Sequence, residues 1–398
     1  MDKIIKNNWQ TKKLGDVCDF QNGFAFKSKL FKETGFPVLR ISNIQNDGIS
    51  YNRLVFFDKK NYKEDFDKYQ ALKGDLVIAM SGATTGKLAI CDADEIFYLN
   101  QRVGKFKPKK DLSNDYLYYF LSTRIEENLK ISAGSAQPNL STEQIKSFKI
   151  PLPPLPEQHR IVKILDEVFD KTAKAKENAE KKIQQAKALF ESYLQSVFTN
   201  PEYEIKTLGE LCDSVEYGSS SKSKSTGKIS VLRMGNIQEG RFNWDNLVYS
   251  DDDCENKKYL LKYNDVLFNR TNSPELVGKT AVYKGEMPAI FAGYLIRINR
   301  KENLLDADYL NYFLNSNIAK DYGKTVVISS VNQANINGTK LKNYPIPTPS
   351  LSEQKDIVAK LDTLSTETKK LEAIYKQKLA DLAELKKSVL KKAFNGEL

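Results

Sequence analysis

The sequence predicts an α+β fold in which two similar mixed α/β globes stand in tandem, each followed by a long helix, with the two helices pairing as an antiparallel coiled coil. Two observations predict this fold. The chain repeats itself with a period of about 195 residues, and in each copy short strand-like runs give way, after a proline cluster, to a long helical pattern. The predicted segments are a first globe at residues 1–150, a first helix at 151–200, a second globe at 201–345 and a second helix at 346–398.

The repeat is visible along the whole chain. KLGDVCD, from Lys13, returns as TLGELCD from Thr207, and VLRISNIQ, from Val38, returns as VLRMGNIQ from Val231. A period of this size is far longer than a solenoid repeat of about 20–50 residues. It therefore indicates one domain followed by one long element, present twice.

Short apolar runs rich in β-branched and aromatic residues alternate with Gly, Asn and Asp in each globe, which is typical of strands joined by turns. The runs include PVLRISNI, DLVIAM, KLAIC and IFYLNQRVGKF in the first copy and ISVLRMGNI, DVLFN and AVYKG in the second. Apolar residues at helical spacing also predict a helix in each globe. These residues are Tyr116, Leu117, Phe120, Leu121 and Ile125 in the first copy and Tyr309, Leu310, Phe313 and Leu314 in the second.

Each globe ends in a proline cluster, IPLPPLPEQ from Ile150 and YPIPTPSLSEQ from Tyr344, and helical periodicity follows without proline for about 40 residues. Apolar residues then recur in steps of three and four along both helices, with one extra step of four at the same place. Because spacings near 3.5 residues form coiled-coil seams, and a stutter relaxes the supercoil, the two helices are predicted to pair. The predicted seam consists of Ile161, Leu165, Val168, Ile183, Phe190, Val197, Ile357, Leu361, Leu364, Leu371, Leu382 and Val389.

A globe separates the two helices along the chain, so the simplest pairing is antiparallel. About 43 residues at about 1.5 Å per residue make a rod of about 65 Å, which equals roughly two turns of B-DNA at about 34 Å each. We therefore expect the helices to act as a spacer between two DNA half-sites. The alternative is a packing pair with no measuring role.

Polar loops of similar character lie between the strands: GFAFKSKLF, SGATTGK and GSAQPNLS in the first copy, and GSSSKSKSTGK, NRTNSPELVGK and SSVNQANIN in the second. Their basic and amide side chains suit contacts with phosphates or base edges, and the net charge of +10 suits a polyanionic partner. The alternative is that these loops are solvated turns whose matching positions reflect common ancestry. Arg40 and Arg233 stand in strand-like runs, where pairing with a buried carboxylate is an equal alternative. The candidate DNA-contacting residues are Lys27, Lys29, Arg40, Asn43, Thr84, Lys87, Arg102, Gln137 and Asn139 in the first copy, and Lys222, Lys224, Arg233, Asn236, Asn269, Arg270, Asn272, Lys279, Asn332, Gln333 and Asn335 in the second.

Catalytic and metal chemistry find little support in the residues. The single histidine, His159, stands at the start of the first helix, where its counterpart is Lys355, so we expect a capping or surface role. The four cysteines contain no CxxC pair, which argues against a zinc knuckle or a disulfide framework. GATTGK, from Gly82, has three residues between its glycines instead of the four of a phosphate loop, and Leu88 follows its lysine. The Asn/Asp-Pro-Pro-aromatic motif of adenine methyltransferases does not occur, so we expect no catalytic residue, metal or cofactor in this chain.

The cellular compartment is predicted from two further features. The first residues, MDKIIKNNWQTKK, contain no apolar core of signal-peptide length, and no run of 18 or more apolar residues occurs. Isolated cysteines are typical of a reducing compartment. We therefore expect a cytoplasmic protein without membrane contact.

The first globe is followed by a helix that begins with PLPEQHRIV, and the second globe by a helix that begins with PSLSEQKDIV and ends in KKAFNGEL. This order of elements and motifs resembles the specificity subunit of type I restriction-modification systems. The resemblance covers the whole chain and includes the GFAFKS and GK loops. It implies two target-recognition domains, at 1–150 and 201–345, each of which recognises one half of an asymmetric bipartite DNA site. It also implies that the helices at 151–200 and 346–398 set the gap between the half-sites, and that the subunit itself is not catalytic.

The same resemblance implies protein partners besides double-stranded DNA. Two modification subunits would dock on this chain and methylate adenine with S-adenosylmethionine, and two restriction subunits would join through them and use ATP and Mg to translocate and cleave DNA. The apolar and Lys/Glu character of the helices suits a second face against partner helices. One alternative is a coiled-coil protein-interaction scaffold without DNA specificity, which predicts no salt-dependent DNA affinity. The other is an undetected enzyme, which would need a titratable cluster that the two globes do not offer.

Overall fold

The computed structural model of the chain describes residues 9–45, 48–131, 139–274, 276–330 and 333–398, with the backbone alone at 125–131, 329, 330 and 333. It divides into two compact units. The first unit comprises Met1–Asn178 and Lys378–Leu398, and the second comprises Ala179–Gln377. The borders between the units fall inside the two long helices, so each unit holds one globe and a part of each helix.

The first globe is built from short strands joined by tight turns. Its strands are β1 (Gln10–Lys13), β2 (Cys18–Asn22), β3 (Phe36–Leu39), β4 (Ile44–Gln45), β5 (Gly48–Ile49), β6 (Val55–Phe57), β7 (Gln70–Ala71), β8 (Leu76–Ala79), β9 (Leu88–Ile90), β10 (Phe97–Leu99), β11 (Val103–Pro108) and β12 (Lys149–Leu152). Its helices are α1 (Leu14–Val17), α2 (Asn114–Ile131) and α3 (Thr142–Ser147), and the first long helix, α4 (Leu155–Phe198), follows. The main sheets have the strand orders β2-β11-β8-β9 and β6-β3-β10-β7.

The second globe repeats this plan. Its strands are β13 (Ile205–Thr207), β14 (Cys212–Tyr217), β15 (Ile229–Leu232), β16 (Ile237–Gln238), β17 (Arg241–Phe242), β18 (Val248–Ser250), β19 (Val266–Asn269), β20 (Thr271–Asn272), β21 (Thr280–Val282), β22 (Ala289–Phe291), β23 (Leu295–Arg300), β24 (Ile328–Ser330), β25 (Gln333–Asn335) and β26 (Pro345–Pro347). Its helices are α5 (Leu208–Leu211), α6 (Asp253–Lys258), α7 (Ala307–Asn315), α8 (Asn317–Val326) and α9 (Gly338–Lys342), and the second long helix, α10 (Leu351–Asn395), follows. The main sheet has the order β14-β23-β19-β21.

Most strand pairings of the two globes correspond; among the described residues, β7 has no counterpart in the second globe, and the sheet β20-β25-β24 is present only there. The sheet β2-β11-β8-β9 matches β14-β23-β19-β21, and the parallel pair β3 and β10 matches the parallel pair β15 and β22. The antiparallel pairs β1 with β12 and β13 with β26 each join the beginning of a globe to its end. The predicted α+β fold in two copies is therefore confirmed, as are the predicted helices, which correspond to α2 and α7.

One predicted strand is shorter than expected in both copies. β3 ends at Leu39 and β15 ends at Leu232, and a single 3-10 turn follows each strand, at Ile41–Asn43 and Met234–Asn236. The side chain of an asparagine closes each turn, because its Oδ1 accepts a hydrogen bond from the backbone N–H three residues earlier. The prediction that Arg40 and Arg233 lie within strands is therefore wrong, since both residues begin these turns.

The long helices pack against each other in opposite directions within each unit. In the first unit, the beginning of α4 contributes Ile161 and Leu165, and the end of α10 contributes Phe394, to one hydrophobic core. In the second unit, the end of α4 contributes Val197, and the beginning of α10 contributes Leu361, to the corresponding core. The predicted antiparallel pairing is therefore confirmed within each unit.

The predicted seam residues are buried to different extents. Ile161, Leu165, Val197, Ile357 and Leu361 are buried, and Val168, Ile183, Phe190, Leu364, Leu382 and Val389 are half-buried. Leu371 is 42% exposed, so its assignment to the seam is wrong. The helix at this point turns Glu372 towards α4, where its carboxylate lies 3.7 Å from the Lys187 ammonium.

An aromatic side chain near the end of each long helix packs on the central helix of a globe. The Phe394 ring lies 5.2 Å from Tyr116 and 5.6 Å from Phe120 of α2, measured between ring centroids. In the second unit, the Phe198 ring of α4 lies 5.3 Å from Tyr309 and 5.2 Å from Phe313 of α7. Each globe helix is therefore covered by one α4 segment and one α10 segment.

A buried glutamine attaches each long helix to the globe that precedes it. The Gln158 amide donates hydrogen bonds to the carbonyl oxygens of Asp111 and Pro153 and accepts one from the Ser113 backbone N–H, all at 2.8 Å. Gln354 repeats this arrangement within the second unit, with the carbonyls of Leu304 and Pro349 and the Asp306 N–H. Both glutamines have no exposed surface. Burial with every polar atom paired explains why a glutamine follows the Pro-Glu and Ser-Glu steps of the two helix beginnings.

Within the described ranges, each helix is either too short or too polar to cross a membrane.

Candidate nucleic-acid interface

Three segments of the first globe meet at the ends of β2, β8 and β11. The Met80 N–H donates to the Arg102 carbonyl at 2.9 Å, and the Met80 carbonyl accepts from the Leu140 N–H at 2.9 Å. Ser81 and Asn139 form an antiparallel bridge beside this point. We call this meeting point the junction of the first globe. Its backbone is held by hydrogen bonds between residues that are far apart in sequence.

The second globe has the same junction. The Arg270 N–H donates to the Tyr294 carbonyl at 3.0 Å, and the Arg270 carbonyl accepts from the Ile336 N–H at 2.9 Å. Thr271 pairs with Asn335, as Ser81 pairs with Asn139 in the first globe. Met80 and Arg270 therefore occupy equivalent positions, as do Arg102 and Tyr294.

The side chains on the two junctions differ. In the first globe, exposed Gln101, Arg102 and Asn139 surround an open cleft of about 570 Å³, and Asn22 and Thr142 close one side through a 3.2 Å hydrogen bond. The lining is polar apart from Met80 and Leu140. This cleft presents amides and a guanidinium, which are the groups that pair with the edges of adenine and guanine.

The second junction carries aromatic side chains and an arginine instead. Tyr217 takes the position of Asn22, and its hydroxyl accepts a 2.8 Å hydrogen bond from the Gly338 N–H. The Arg270 guanidinium lies over the Tyr217 ring, 4.8 Å from its centroid, and its Nη1 donates to the Gly293 carbonyl at 3.4 Å. Tyr294 is 51% exposed beside them. The two globes thus present different chemistry on the same backbone frame.

Three of the predicted DNA-contacting asparagines are buried, and for these the prediction is corrected. Asn43 and Asn236 close the 3-10 turns and donate to the carbonyls of Ser50 and Asn243 at 2.9 Å each. Asn269 has no exposed surface and donates to the Leu276 carbonyl at 3.1 Å. A buried amide with these partners holds its loop in place and cannot contact DNA unless the loop opens.

Arg40 and Arg233 are half-buried and hold loops as well. Their Nη2 groups donate to the carbonyls of Arg53 and Asn246 at 3.2 and 2.9 Å. Both accepting residues have positive φ, 58° and 53°, so the arginines brace two left-handed turns. The alternative of buried carboxylate partners is therefore corrected to backbone carbonyl partners.

Thr84 and Lys87 connect neighbouring loops of the first globe. The Thr84 hydroxyl donates to the Ile41 carbonyl at 3.0 Å, and the Lys87 ammonium donates to Oε1 of Gln45 at 3.0 Å. Both side chains are half-buried. Their role in DNA contact stays a prediction, and the structure adds a loop-bracing role to it.

The remaining predicted residues keep exposed or half-exposed side chains. Lys27, Lys29 and Lys222 are exposed, and exposed Lys224 pairs with Asp251 at 3.0 Å. Lys279, Asn272 and Asn335 are half-buried, and the Asn335 amide donates to the Thr271 hydroxyl at 2.7 Å. Gln137 and Asn332 lie outside the described residues, as does the side chain of Gln333.

The structure brings to the junctions several residues that the sequence analysis missed: Asn22, Met80, Ser81, Gln101, Thr142, Tyr217 and Tyr294. A usable signal was present in the sequence for two of them. Asn22 and Tyr217 each precede a glycine after the matching CDFQ and CDSVE runs. A Cβ on Gly23 would lie 2.1 Å from the Asn100 carbonyl oxygen, and one on Gly218 would lie 2.3 Å from that of Phe291. The glycines mark close backbone contact, and the residues before them are the ones that differ between copies.

A buried cation on the main sheet of each globe forms an ion pair with one or two carboxylates. The Lys105 ammonium lies 2.8 Å from an Asp75 oxygen, and in the second globe the Arg297 guanidinium lies 3.1 Å from Asp265 and 2.5 Å from Glu216. These cations are neutralised and inaccessible. Across the described part of the chain, no group of three or more His, Cys, Asp or Glu residues is arranged to hold a metal ion. His159 is exposed on α4.

The duplicated globes with their long helices define a class of protein. The family of type I restriction modification DNA specificity domains matches residues 6–185 and again residues 200–381. The chain belongs to this family and contains its domain twice.

The chain is similar over almost its full length to specificity subunits of known type I restriction enzymes. It is 27% identical to the StySPI specificity subunit of Salmonella potsdam and 26% identical to the EcoKI specificity subunit of Escherichia coli strain K12, in each case over 99% of this chain and 90% of the relative.

Solved structures show the same fold. A chain from a type I R-M system, solved in a study of its complex assembly and conformational transition, superimposes with a TM-score of 0.78 at 20% identity, and all of both chains is covered. The HsdS subunit from Thermoanaerobacter tengcongensis gives a TM-score of 0.65 at 20% identity over 100% of this chain and 99% of that one.

Proposed function

We propose that this chain is the non-catalytic DNA sequence-recognition subunit of a type I restriction-modification complex. Each globe recognises one half of a bipartite, asymmetric DNA site through its junction. The observation that carries this proposal is the pair of junctions: the backbone hydrogen bonds are the same, while the side chains presented on them differ. An invariant frame with different polar side chains is what two different half-sites require, because base edges are distinguished by the donors and acceptors that face them.

The long helices set the distance between the half-sites in this proposal. They contain 44 and 45 residues, close to the length expected from the sequence. Inserting one heptad at equivalent points of both helices adds about 10 Å of rise, so the gap is expected to grow by about three base pairs while both half-sites stay the same. An altered half-site with an unchanged gap would refute this spacer role.

The helices also offer a surface to protein partners. Leu189, Ile374 and Leu385 are 62%, 52% and 46% exposed. In the second unit, an open groove of about 420 Å³ between the helices is lined mainly by apolar surface, from residues that include Tyr193 and Leu364. Exposed apolar side chains on helices are typical of sites that bind another helix. We propose that two modification subunits, which supply S-adenosylmethionine-dependent methylation, dock here, and that two ATP- and Mg-dependent restriction subunits join through them.

The decisive experiment is to co-express the chain with its modification subunit and to map methylated adenines across the host genome by long-read sequencing. The expected result is a split motif with an unspecified gap. If the two proteins co-purify and no motif appears, sequence recognition by this chain is refuted.

A coiled-coil scaffold without DNA specificity is the competing function. Contacts with phosphates release counterions, so DNA affinity of the assembled complex should fall steeply with salt if the proposal holds. If the assembled complex does not bind duplex DNA even at low salt, that result would favour the scaffold.

A further inference from the structure

We propose that Arg270 recognises a guanine in the half-site bound by the second globe, with Tyr217 as its positioning residue. This inference rests on the proposed function and assigns one base pair to one side chain. Arginine is the side chain that pairs best with guanine, because its planar guanidinium donates two parallel hydrogen bonds to O6 and N7 in the major groove.

The backbone of Arg270 is held from both sides. Its N–H and carbonyl are bonded to Tyr294 and Ile336. The preceding Asn269 has no exposed surface, and its Oδ1 accepts from the Thr271 N–H at 3.4 Å. The backbone of Arg270, between β19 and β20, is therefore fixed by hydrogen bonds on both sides.

The guanidinium is oriented before any ligand arrives. One face lies on the Tyr217 ring, which is itself anchored through its hydroxyl to the Gly338 N–H, and Nη1 reaches the Gly293 carbonyl. Nε is buried, so the edge that carries the two Nη groups remains for an incoming partner. A stacked guanidinium loses little conformational entropy on binding, which favours a specific contact.

The lack of a carboxylate partner distinguishes Arg270 from Arg297 and Arg300 of this globe. Arg297 is buried between Asp265 and Glu216, and Arg300 lies 3.5 Å from Glu302. Among the ion pairs of the described residues, Arg270 has no carboxylate partner, and its side chain is half-exposed. Arg297 and Arg300 are thus structural cations, while Arg270 keeps its charge for a ligand that is rich in acceptors.

The first globe supplies the test variant. Met80 occupies the position of Arg270 on the same frame, so Arg270→Met places a side chain that this backbone already accommodates. Arg270→Lys retains the charge and removes the planar pair of donors. Tyr217→Leu removes the ring under the guanidinium. Arg241→Met, on an exposed arginine of β17 outside the junction, is the matched control.

The experiment maps adenine methylation by the complex of this chain with its modification subunit, for the wild type and the four variants. The wild-type motif is expected to contain a guanine in one half-site. Arg270→Met should reduce discrimination at that single base pair by about tenfold to a hundredfold, leaving the other half-site and the gap unchanged. Arg270→Lys and Tyr217→Leu should relax the same base pair, and Arg241→Met should leave the motif as it is.

An unchanged motif in Arg270→Met overturns the inference while the proposed function stands. So does a loss of methylation at all sites without relaxation of one base pair, which indicates a phosphate contact. A wild-type split motif without guanine in either half-site has the same consequence. A wild-type complex that assembles and shows no split motif instead refutes the proposed function, and the inference with it.

Discussion

The two globes indicate where recognition resides, because the same backbone hydrogen bonds hold both junctions while the side chains on the junctions differ. Met80 and Arg270 share both backbone hydrogen bonds, yet one is a buried apolar side chain and the other a half-exposed cation. At the second pair of equivalent positions, Arg102 is an exposed cation and Tyr294 an exposed aromatic side chain. A duplicated domain can therefore acquire a second specificity on the same backbone frame, because the backbone hydrogen bonds hold whichever side chains the junction presents.

In the cores, unlike at the junctions, the two units have equivalent aromatic contacts. Substitutions there are expected to have the largest effect on the free energy of unfolding. Phe394→Ala and Phe198→Ala each remove a ring that packs on a globe helix. Each substitution should lower the free energy of unfolding by about 3–5 kcal/mol, because it leaves a cavity in a core. Equilibrium denaturant titration of the full chain measures both. A much smaller loss for one of them would break the equivalence of the two cores.

The buried ion pairs should be unequal. Arg297→Met leaves two carboxylates, Asp265 and Glu216, without their partner and should cost about 3 kcal/mol. Lys105→Met removes the ammonium from one carboxylate, Asp75, whose side chain is 27% exposed, and from the Gln70 carbonyl, and should cost roughly 1–2 kcal/mol. Thermal unfolding of both variants at neutral pH gives the comparison. If both variants lost the same stability, the second carboxylate beside Arg297 would contribute nothing to the difference between the two ion pairs.

The glutamines at the beginnings of the long helices should behave alike. Gln158→Ala and Gln354→Ala each leave two carbonyls and one N–H without partners in a buried site. A loss of about 2 kcal/mol is expected for each, measured by denaturant titration. Substitution of the exposed neighbour His159 by alanine is the control and should change stability by less than about 0.5 kcal/mol. If Gln354→Ala left the free energy of unfolding unchanged, the hydrogen bonds of Gln354 to its globe would not be needed for stability.

The smallest effect concerns thiols, where the globes differ. Burial raises the pKa of Cys18 and of Cys91 to about 12 and also raises that of Cys212, whereas Cys254 is exposed. At pH 8 a thiol reagent should therefore label Cys254 quickly and the other three slowly, as followed by mass spectrometry, and Cys254→Ser should remove the fast phase. Because the folded pKa values lie above the ordinary value of 9.0, the stability linked to these thiols is present below pH 9 and declines as the pH rises towards 12. Fast labelling of Cys18 would contradict its burial.

The sequence by itself determined the architecture: the repeat, the strand runs, the helices and the register of the long helices follow from local periodicity, which burial of one face imposes on every element. Tertiary structure alone decided which polar residues face outward. Asn43, Asn236 and Asn269 have the residue type of a base contact, but carbonyls seven residues further along the chain bind their amides and bury them.

Tyr217 and Tyr294 became part of the junction because β14 and β19 end where β23 begins. That meeting is made by hydrogen bonds between segments up to about 120 residues apart, such as the one from Gly338 to Tyr217. Local patterns carry no record of such partners, and the chemistry of a site assembled from three distant segments therefore becomes visible only when the chain has folded.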